Sequence, residues 1–437
     1  MKKFKLSLLL GAVFSMSACN SNVKSIRGAT LLREPGETTR SDYGEGYKAF
    51  REKLKVFSNR ISESFINSNY EDGKNITISP LSLQMCLGLA VYASDGDTRK
   101  ELLDAFDVNF STFNNYYSEL YKNYNFQRKS ESDEDMFEIM MRNSIWIDDN
   151  VKLLDSGLDT LRDKAYCYSY ETDFNSNKAN EAIAKFIEIQ SKGLLKPTLQ
   201  FDTRTMFALI NTLYLKDIWN DSGSNLEFSN DSKHVFTNSD KTKSSKKLLQ
   251  GYYNNGKVIS TNDYSSFYTT TNNGFKIYFI KPNDGKSVKE VFNKESMAYV
   301  LDRANYVYSD DDKKELYETR CIFPEYTADC DVDLSGMLMK DFNVKALFDS
   351  ERCNFSNLCE ETVFCNKLNQ VAKLEVNKKG IEGAAVTYLA MCGSAGPGEY
   401  ETIYDDFVVD KEFGFILTYD DCVLFSGAVT NIDKLIV

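Results

Sequence analysis

Apolar positions recur at helical spacing soon after residue 46. Phe50, Leu54, Phe57, Ile61 and Phe65 fall on one face and predict an amphipathic helix. Asn75-Ile76-Thr77-Ile78-Ser79-Pro80 reads as a short strand closed by proline, followed by an apolar helix from Leu81. After a turn at Gly96, Thr98-Arg99-Lys100-Glu101 has the form of a capping box and predicts a helix starting there. Asn180 to Leu195 returns to the helical period. Met206 to Leu215 is nearly all apolar, which predicts a strand buried on both faces. Further strands are expected at Phe275–Ile280, Tyr317–Phe323, Phe413–Tyr419 and Val423–Val429, with a helix over Asp333–Phe348. The polar run 221–246 reads as loops around one short strand, Val235 to Asn238. No internal repeat and no linker interrupts the chain after 46. The mixture of periods predicts one α+β domain with a large sheet over residues 46–437.

The N-terminus has a different character. Lys2, Lys3 and Lys5 precede an apolar core, Leu6 to Phe14, that is too short to span a bilayer. It closes on Met16-Ser17-Ala18-Cys19, small residues before a cysteine, and so resembles a bacterial lipoprotein signal. Residues 1–18 are then a signal peptide, Cys19 the lipidated residue, and 19–45 a polar tether. The expected protein is exported and held at the cell envelope by a lipid anchor in the membrane.

Charge and residue counts narrow the chemistry. Net charge is −12 over 437 residues, which excludes nucleic acid as a partner because an acidic surface repels phosphate. Ten cysteines include Cys353, Cys359 and Cys365 at six-residue steps, and Cys321 and Cys330 nine apart; neither spacing is that of a zinc site. Nine cysteines remain after Cys19, so at least one thiol is unpaired. His234 is the single histidine. Cys392-Gly393-Ser394-Ala395 partly echoes the nucleophile motif of papain-like proteases, but those need a histidine downstream and His234 lies far upstream. No phosphate loop, metal motif or nucleophile elbow is present. The sequence reads as a non-enzyme without cofactor or metal.

One stretch stays unexplained by these counts: VNKKGIEGAAVTYLAMCGSAGPGE, residues 376–399. From Gly380 to Thr387 it is small and β-branched like a strand, yet it runs into a Gly- and Ser-rich tract. Taken with the other segments it resembles the serpin family, across roughly residues 46–437. Asn75 to Ser82 is similar to that family's strand-to-helix signature. Asn211-Thr-Leu-Tyr-Leu-Lys-Asp-Ile-Trp219 resembles its central strand, Leu334–Phe348 its late helix, and Phe407–Asp410 with Phe413, Phe425 and Gly427 its final strands.

The resemblance implies three β-sheets, eight or nine helices and a C-terminal reactive loop, in a monomer that needs no cofactor. It implies an endopeptidase inhibitor, serine-type and extending to cysteine proteases, whose loop is cut and then inserted as a strand. The hinge falls on Gly380, Ile381, Glu382, Gly383, Ala384 and Ala385. An inserted strand would turn Ile381, Gly383, Ala385, Thr387, Leu389 and Met391 inward and Glu382, Ala384, Val386, Tyr388 and Ala390 outward. Proline first appears at Pro397, beyond that strand. The bait bond falls at Ser394–Ala395, within a window of Met391, Cys392, Gly393, Ser394, Ala395 and Gly396. No Lys or Arg lies there, which favours elastase-, chymotrypsin- or papain-like targets. Cys392 must be unpaired, since a bridged loop could not travel. Ser79, Ser82, Asn211, Trp219 and Gln370 occupy the shutter and breach positions where the sheet opens. The pattern departs at Lys378 (Glu is usual), Ile381 (Thr or Ser) and Gln370 (His). A non-inhibitory binding protein on the same fold is the alternative.

Overall fold

The computed structural model describes residues 23–40, 44–128, 137–219, 226–230, 233–254, 256–306, 315–365, 367–381 and 401–433. The chain begins with β1 (Ala29–Arg33), α1 (Glu45–Asn69), β2 (Ile76–Ile78), α2 (Pro80–Ala93), α3 (Gly96–Phe106) and α4 (Phe110–Asn123). It continues through β3 (Phe126–Arg128), β4 (Phe137–Asp148), α5 (Asp155–Ala165), β5 (Cys167–Thr172), α6 (Lys178–Gln190) and β6 (Phe207–Ile218). Next come β7 (Glu227–Phe228), β8 (Leu249–Asn254), β9 (Ile259–Ser260), β10 (Tyr264–Thr270), β11 (Phe275–Pro282), α7 (Val288–Val291) and α8 (Lys294–Val300). The last third holds β12 (Glu315–Phe323), β13 (Tyr326–Asp333), α9 (Ser335–Asp341), β14 (Asn369–Asn377), β15 (Gly380–Ile381), β16 (Glu401–Val408), β17 (Phe413–Tyr419) and β18 (Cys422–Val429). The α+β class is as expected.

Hydrogen bonds run without a break through β1-β5-β4-β6-β15-β14-β13-β2-β18-β17-β11-β10-β9, while β16-β12-β8-β7 form a separate sheet. Two of the three expected sheets are thus joined edge to edge. The link is narrow, since β13 meets β2 at a single pair, Asp329↔Ile76. α1 buries the predicted stripe of Phe50, Leu54, Phe57, Ile61 and Phe65. α2 is buried almost throughout, with Pro80 in its first turn and the Ser79 side chain accepting the Ser82 N–H at 3.3 Å.

Three local expectations give way to tertiary structure. α3 starts at Gly96, because Thr98 and Glu101 have other partners: the Thr98 hydroxyl accepts the Asn354 N–H (3.0 Å) and Glu101 accepts those of Lys345 (2.7 Å) and Ala346 (2.6 Å). Val235–Asn238 forms no strand; only Thr237 makes an isolated bridge, to Lys243. Residues 23–40, read as part of a polar tether, lie along the sheet instead, with β1 paired to β5.

Candidate functional site

β6 and β14 flank the same gap in the sheet and, among the described residues, are linked in the strand ladder only through β15. Val376 and Asn377 of β14 pair antiparallel with Ile381 and Gly380, which pair antiparallel with Asp217 and Ile218 of β6. Two antiparallel steps make β6 and β14 parallel to each other. Below this short closure, among the described residues, no strand lies between Phe207–Lys216 and Asn369–Glu375. The result is a seam, closed at one end by the first two residues of the hinge.

The chemistry at the closed end is specific. Gly380 has φ +149°, and a Cβ there would lie 2.1 Å from the Asp217 carbonyl oxygen and 2.8 Å from the Ile218 Cα. Only glycine lets β15 approach β6 this closely. Ile381 is fully buried, so its side chain fits the sheet although it is bulkier than the family's usual residue. The Trp219 indole N–H donates to the Asn377 carbonyl at 2.7 Å, and its ring meets Phe323 edge-on. The buried Asp217 carboxylate accepts from the Asn273 N–H (2.9 Å), the Asn273 amide (2.8 Å) and the Ile218 N–H (3.0 Å). Burial pushes that carboxyl above its ordinary range, and these donors work against the shift. Lys378 is also held, its N–H donating to Glu325 at 2.6 Å and its ammonium standing 5.1 Å from the Phe228 ring centre.

Midway along the seam lies a second polar cluster. The Gln370 amide accepts from the Ser79 N–H (2.8 Å) and donates to the Ser79 carbonyl (2.9 Å), pinning β14 to the start of α2. The Ser79 hydroxyl donates to the Leu424 carbonyl at 2.7 Å. Across the seam the Asn211 amide donates to Asn143 at 2.8 Å, but its own carbonyl oxygen is buried without a partner. Ser82 is buried in the first turn of α2. Gln370→Ala would leave the buried Ser79 N–H unpaired. Native stability should then fall by roughly 1–3 kcal/mol in a denaturant titration.

Of the sequence-predicted residues, the structure thus brings Gly380, Ile381 and Trp219 to the closure and Ser79, Ser82, Asn211 and Gln370 to the middle of the seam. Glu382, Gly383, Ala384 and Ala385, the bait window from Met391 to Gly396, and Cys19 lie outside the described residues. Sequence reasoning missed Asp217, Asn273 and Glu325. Asp217 sits inside the quoted motif ending at Trp219, and the Asn272-Asn273-Gly274 run marks a turn, but nothing local joins either to the hinge.

A family model described as Serpin (serine protease inhibitor) matches residues 52–432. The chain belongs to the serpin family. It is similar to neuroserpin of Homo sapiens, 24% identical over 377 residues, covering 82% of this chain and 87% of that one. Corticosteroid-binding globulin of Ovis aries is 25% identical over 358 residues, covering 78% and 79%. The native-state structure of tengpin, a thermophilic serpin, superposes with a TM-score of 0.71 at 16% identity, over 92% of this chain and 100% of that one. That likeness is one of fold.

The eight described cysteines are all free thiols. Burial raises them, Cys86, Cys330, Cys365 and Cys422 to about 12 and Cys359 to about 11. The reactive species is the thiolate, so these groups are inert near neutral pH. In the soluble form starting after Cys19, a thiol-alkylating reagent at pH 8 should label Cys392 first, as peptide mapping would show.

Proposed function

We propose that this serpin is a suicide inhibitor of endopeptidases, with residues 382–391 as the segment that fills the seam. The observation that carries this is the placement of β15, already antiparallel between the ends of two parallel strands. A strand continuing from Ile381 runs down the seam without changing direction. Each step along it moves one residue back on both neighbours, starting from Ile381 beside Asp217 and Val376. Ala385 then falls between Leu213 and Ala372, Thr387 between Asn211 and Gln370, and Met391 beside Phe207, the first residue of β6. The seam therefore runs out at Met391, where the proposed bait window begins.

The same register supports a role for Thr387. Its hydroxyl arrives beside the unpartnered Asn211 oxygen, and relieving a buried orphan acceptor is worth roughly 1–3 kcal/mol. Insertion also adds backbone bonds along the seam and buries Leu389 and Met391, at about 1.5–3 kcal/mol for each such side chain. The target's own nucleophile performs the chemistry by attacking the bait carbonyl, and the inhibitor supplies the free energy that carries the acyl-enzyme away. The bait at Ser394–Ala395 suits proteases that accept small or apolar side chains. The signal-like residues 1–18 and Cys19 support a lipoprotein of the cell envelope that meets those proteases outside the cytoplasm.

Thermal unfolding before and after a cut within 391–396 tests the scheme. The cut protein should melt at a temperature higher by roughly 5–10 °C, since several kcal/mol are gained and each shifts a domain of this size by about 1 °C. Thr387→Val should give a smaller rise, because the Asn211 oxygen then stays unpartnered in the inserted form. A cut protein that melts no higher than the intact one would favour the non-inhibitory reading, to which the likeness with corticosteroid-binding globulin lends support.

A further inference from the structure

Only Asn20, Ser21 and Asn22 separate Cys19 from Val23, and Val23 is fixed on the folded body. Val23 and Ile26 are 1% and 5% exposed, in a hydrophobic cluster with Trp146, Tyr170 and Phe186. The Tyr170 hydroxyl donates to the Val23 carbonyl at 3.1 Å. Four residues of chain reach at most about 14 Å. A body of this size is about 50 Å across. A lipid on Cys19 therefore brings one particular side of the body to the bilayer and leaves it little room to turn.

The strand registers identify that side. Tyr170 of β5 pairs with Trp146 of β4, and Trp146 with Ala208 of β6. Val23 thus lies about level with Ala208, beside Phe207, where the seam runs out. Gly28 repeats the placement: its carbonyl accepts the Thr172 hydroxyl (2.8 Å), and Thr172 pairs with Asp148, the last residue of β4. The closure is at the other end of β6. Ile381 pairs with Asp217, nine residues beyond Ala208, or about 30 Å at the rise of a strand. The bait segment leaves the body there and re-enters on β16, whose sheet meets the closure through Phe323 and Trp219, ring centres 5.8 Å apart. Beneath the Phe207 end, Phe355 meets the Phe207 ring edge-on at 5.0 Å, and the Leu154 N–H donates to the Leu358 carbonyl at 2.8 Å. In the same loop Glu361 accepts the Lys152 N–H at 3.0 Å, and Phe364, three residues on, is 47% exposed. An exposed aromatic ring near a lipid anchor suits the boundary between headgroups and water.

Resting on the lipoprotein and insertion readings, we infer that the protein stands on the bilayer by its Phe207 end with the bait held away from it, so that trapping carries the protease toward the membrane. The docking surface is the end of the body that holds Val23, Phe207 and Phe364, and its partner is the lipid surface. In the inserted register Met391 reaches Phe207, so an acylated protease crosses from the outer end of the body to the membrane side.

The test uses the mature lipidated chain in vesicles of phosphatidylethanolamine and phosphatidylglycerol whose headgroups carry an energy-transfer acceptor. A donor dye is placed on Cys392, or on Glu360→Cys in a Cys392→Ser background; Glu360 is exposed in the loop beneath the Phe207 end. In uncut protein the dye at position 360 should transfer several-fold more than the dye on Cys392. After a cut beyond Cys392, transfer from Cys392 should rise to a similar level. A Gly–Ser insert of about sixteen residues between Asn22 and Val23, with a mean span of about 20 Å, should sharply reduce the difference in uncut protein. Equal transfer from the two uncut sites, or more from Cys392, would overturn the orientation, as would a difference that the insert leaves unchanged. Transfer from Cys392 that stays low after the cut, in protein that melts higher, would overturn delivery to the membrane. The same result in protein that melts no higher would overturn insertion itself, while the uncut pair still decides the orientation. A mature chain without acyl groups by mass spectrometry, which does not float with the vesicles, would remove the lipoprotein reading and the orientation with it.

Discussion

Gly380→Ala is expected to convert the inhibitor into a substrate. The added methyl group would sit 2.1 Å from the Asp217 carbonyl oxygen, and that oxygen belongs to backbone already paired in β6, so it cannot swing away. The φ of +149° adds strain for any residue with a Cβ. β15 must then leave the sheet, taking Ile381 from a fully buried position and forfeiting about 1.5–3 kcal/mol of apolar burial besides its backbone bonds. Insertion would start from an expelled hinge and lose its race with deacylation. Titrating a protease with the variant should raise the ratio of cut to complexed chain at least about tenfold, as expected when one branch slows by 1.4 kcal/mol or more. An unchanged stoichiometry would mean that the β15 pairing plays no part in trapping.

Ala385→Arg should fail later and more completely. On the proposed insertion, residue 385 would reach a position between Leu213, 9% exposed, and Ala372, 4% exposed. An unpaired guanidinium there costs several kcal/mol, more than the seam can recover from neighbouring positions. The hinge would begin to insert and stall four residues past Ile381. The cut variant should show no rise in melting temperature and no retained protease, while the uncut protein unfolds as wild type does. Ala384→Arg sends its charge to the other face, beside Lys373 and Tyr214, and should hinder insertion less. The difference between the two neighbours, measured as inhibition stoichiometry, reads out the alternation directly.

Much of this was legible in the sequence because the signals were long or repeated. The stripe from Phe50 to Phe65 and the apolar run ending in Trp219 both gave elements of the right type at the right place. β4 escaped notice: all twelve of its positions are buried, polar ones such as Arg142 and Asn143 included, so it shows neither alternation nor an unbroken apolar run. The Thr98 capping box misled because its two polar side chains serve residues more than two hundred positions away. Residues 23–40 looked like a tether because only Val23, Ile26 and a few others among them are apolar, and their seat is built from β4, β5 and α6. The closure at Gly380 could be named as a hinge, but its partners Asp217, Asn273 and Glu325 come from three separate segments. Their meeting is a property of the folded sheet, and no local pattern announces it.

The most direct test of the account is a denaturing gel of the soluble chain mixed in turn with elastase-, chymotrypsin-, trypsin- and papain-like proteases, with the cut site read by mass spectrometry. The account predicts a covalent band near the summed mass with at least one protease of small or apolar preference, and a cut between Met391 and Gly396. Cleavage in that window by every protease tried, with no covalent band from any, would contradict it.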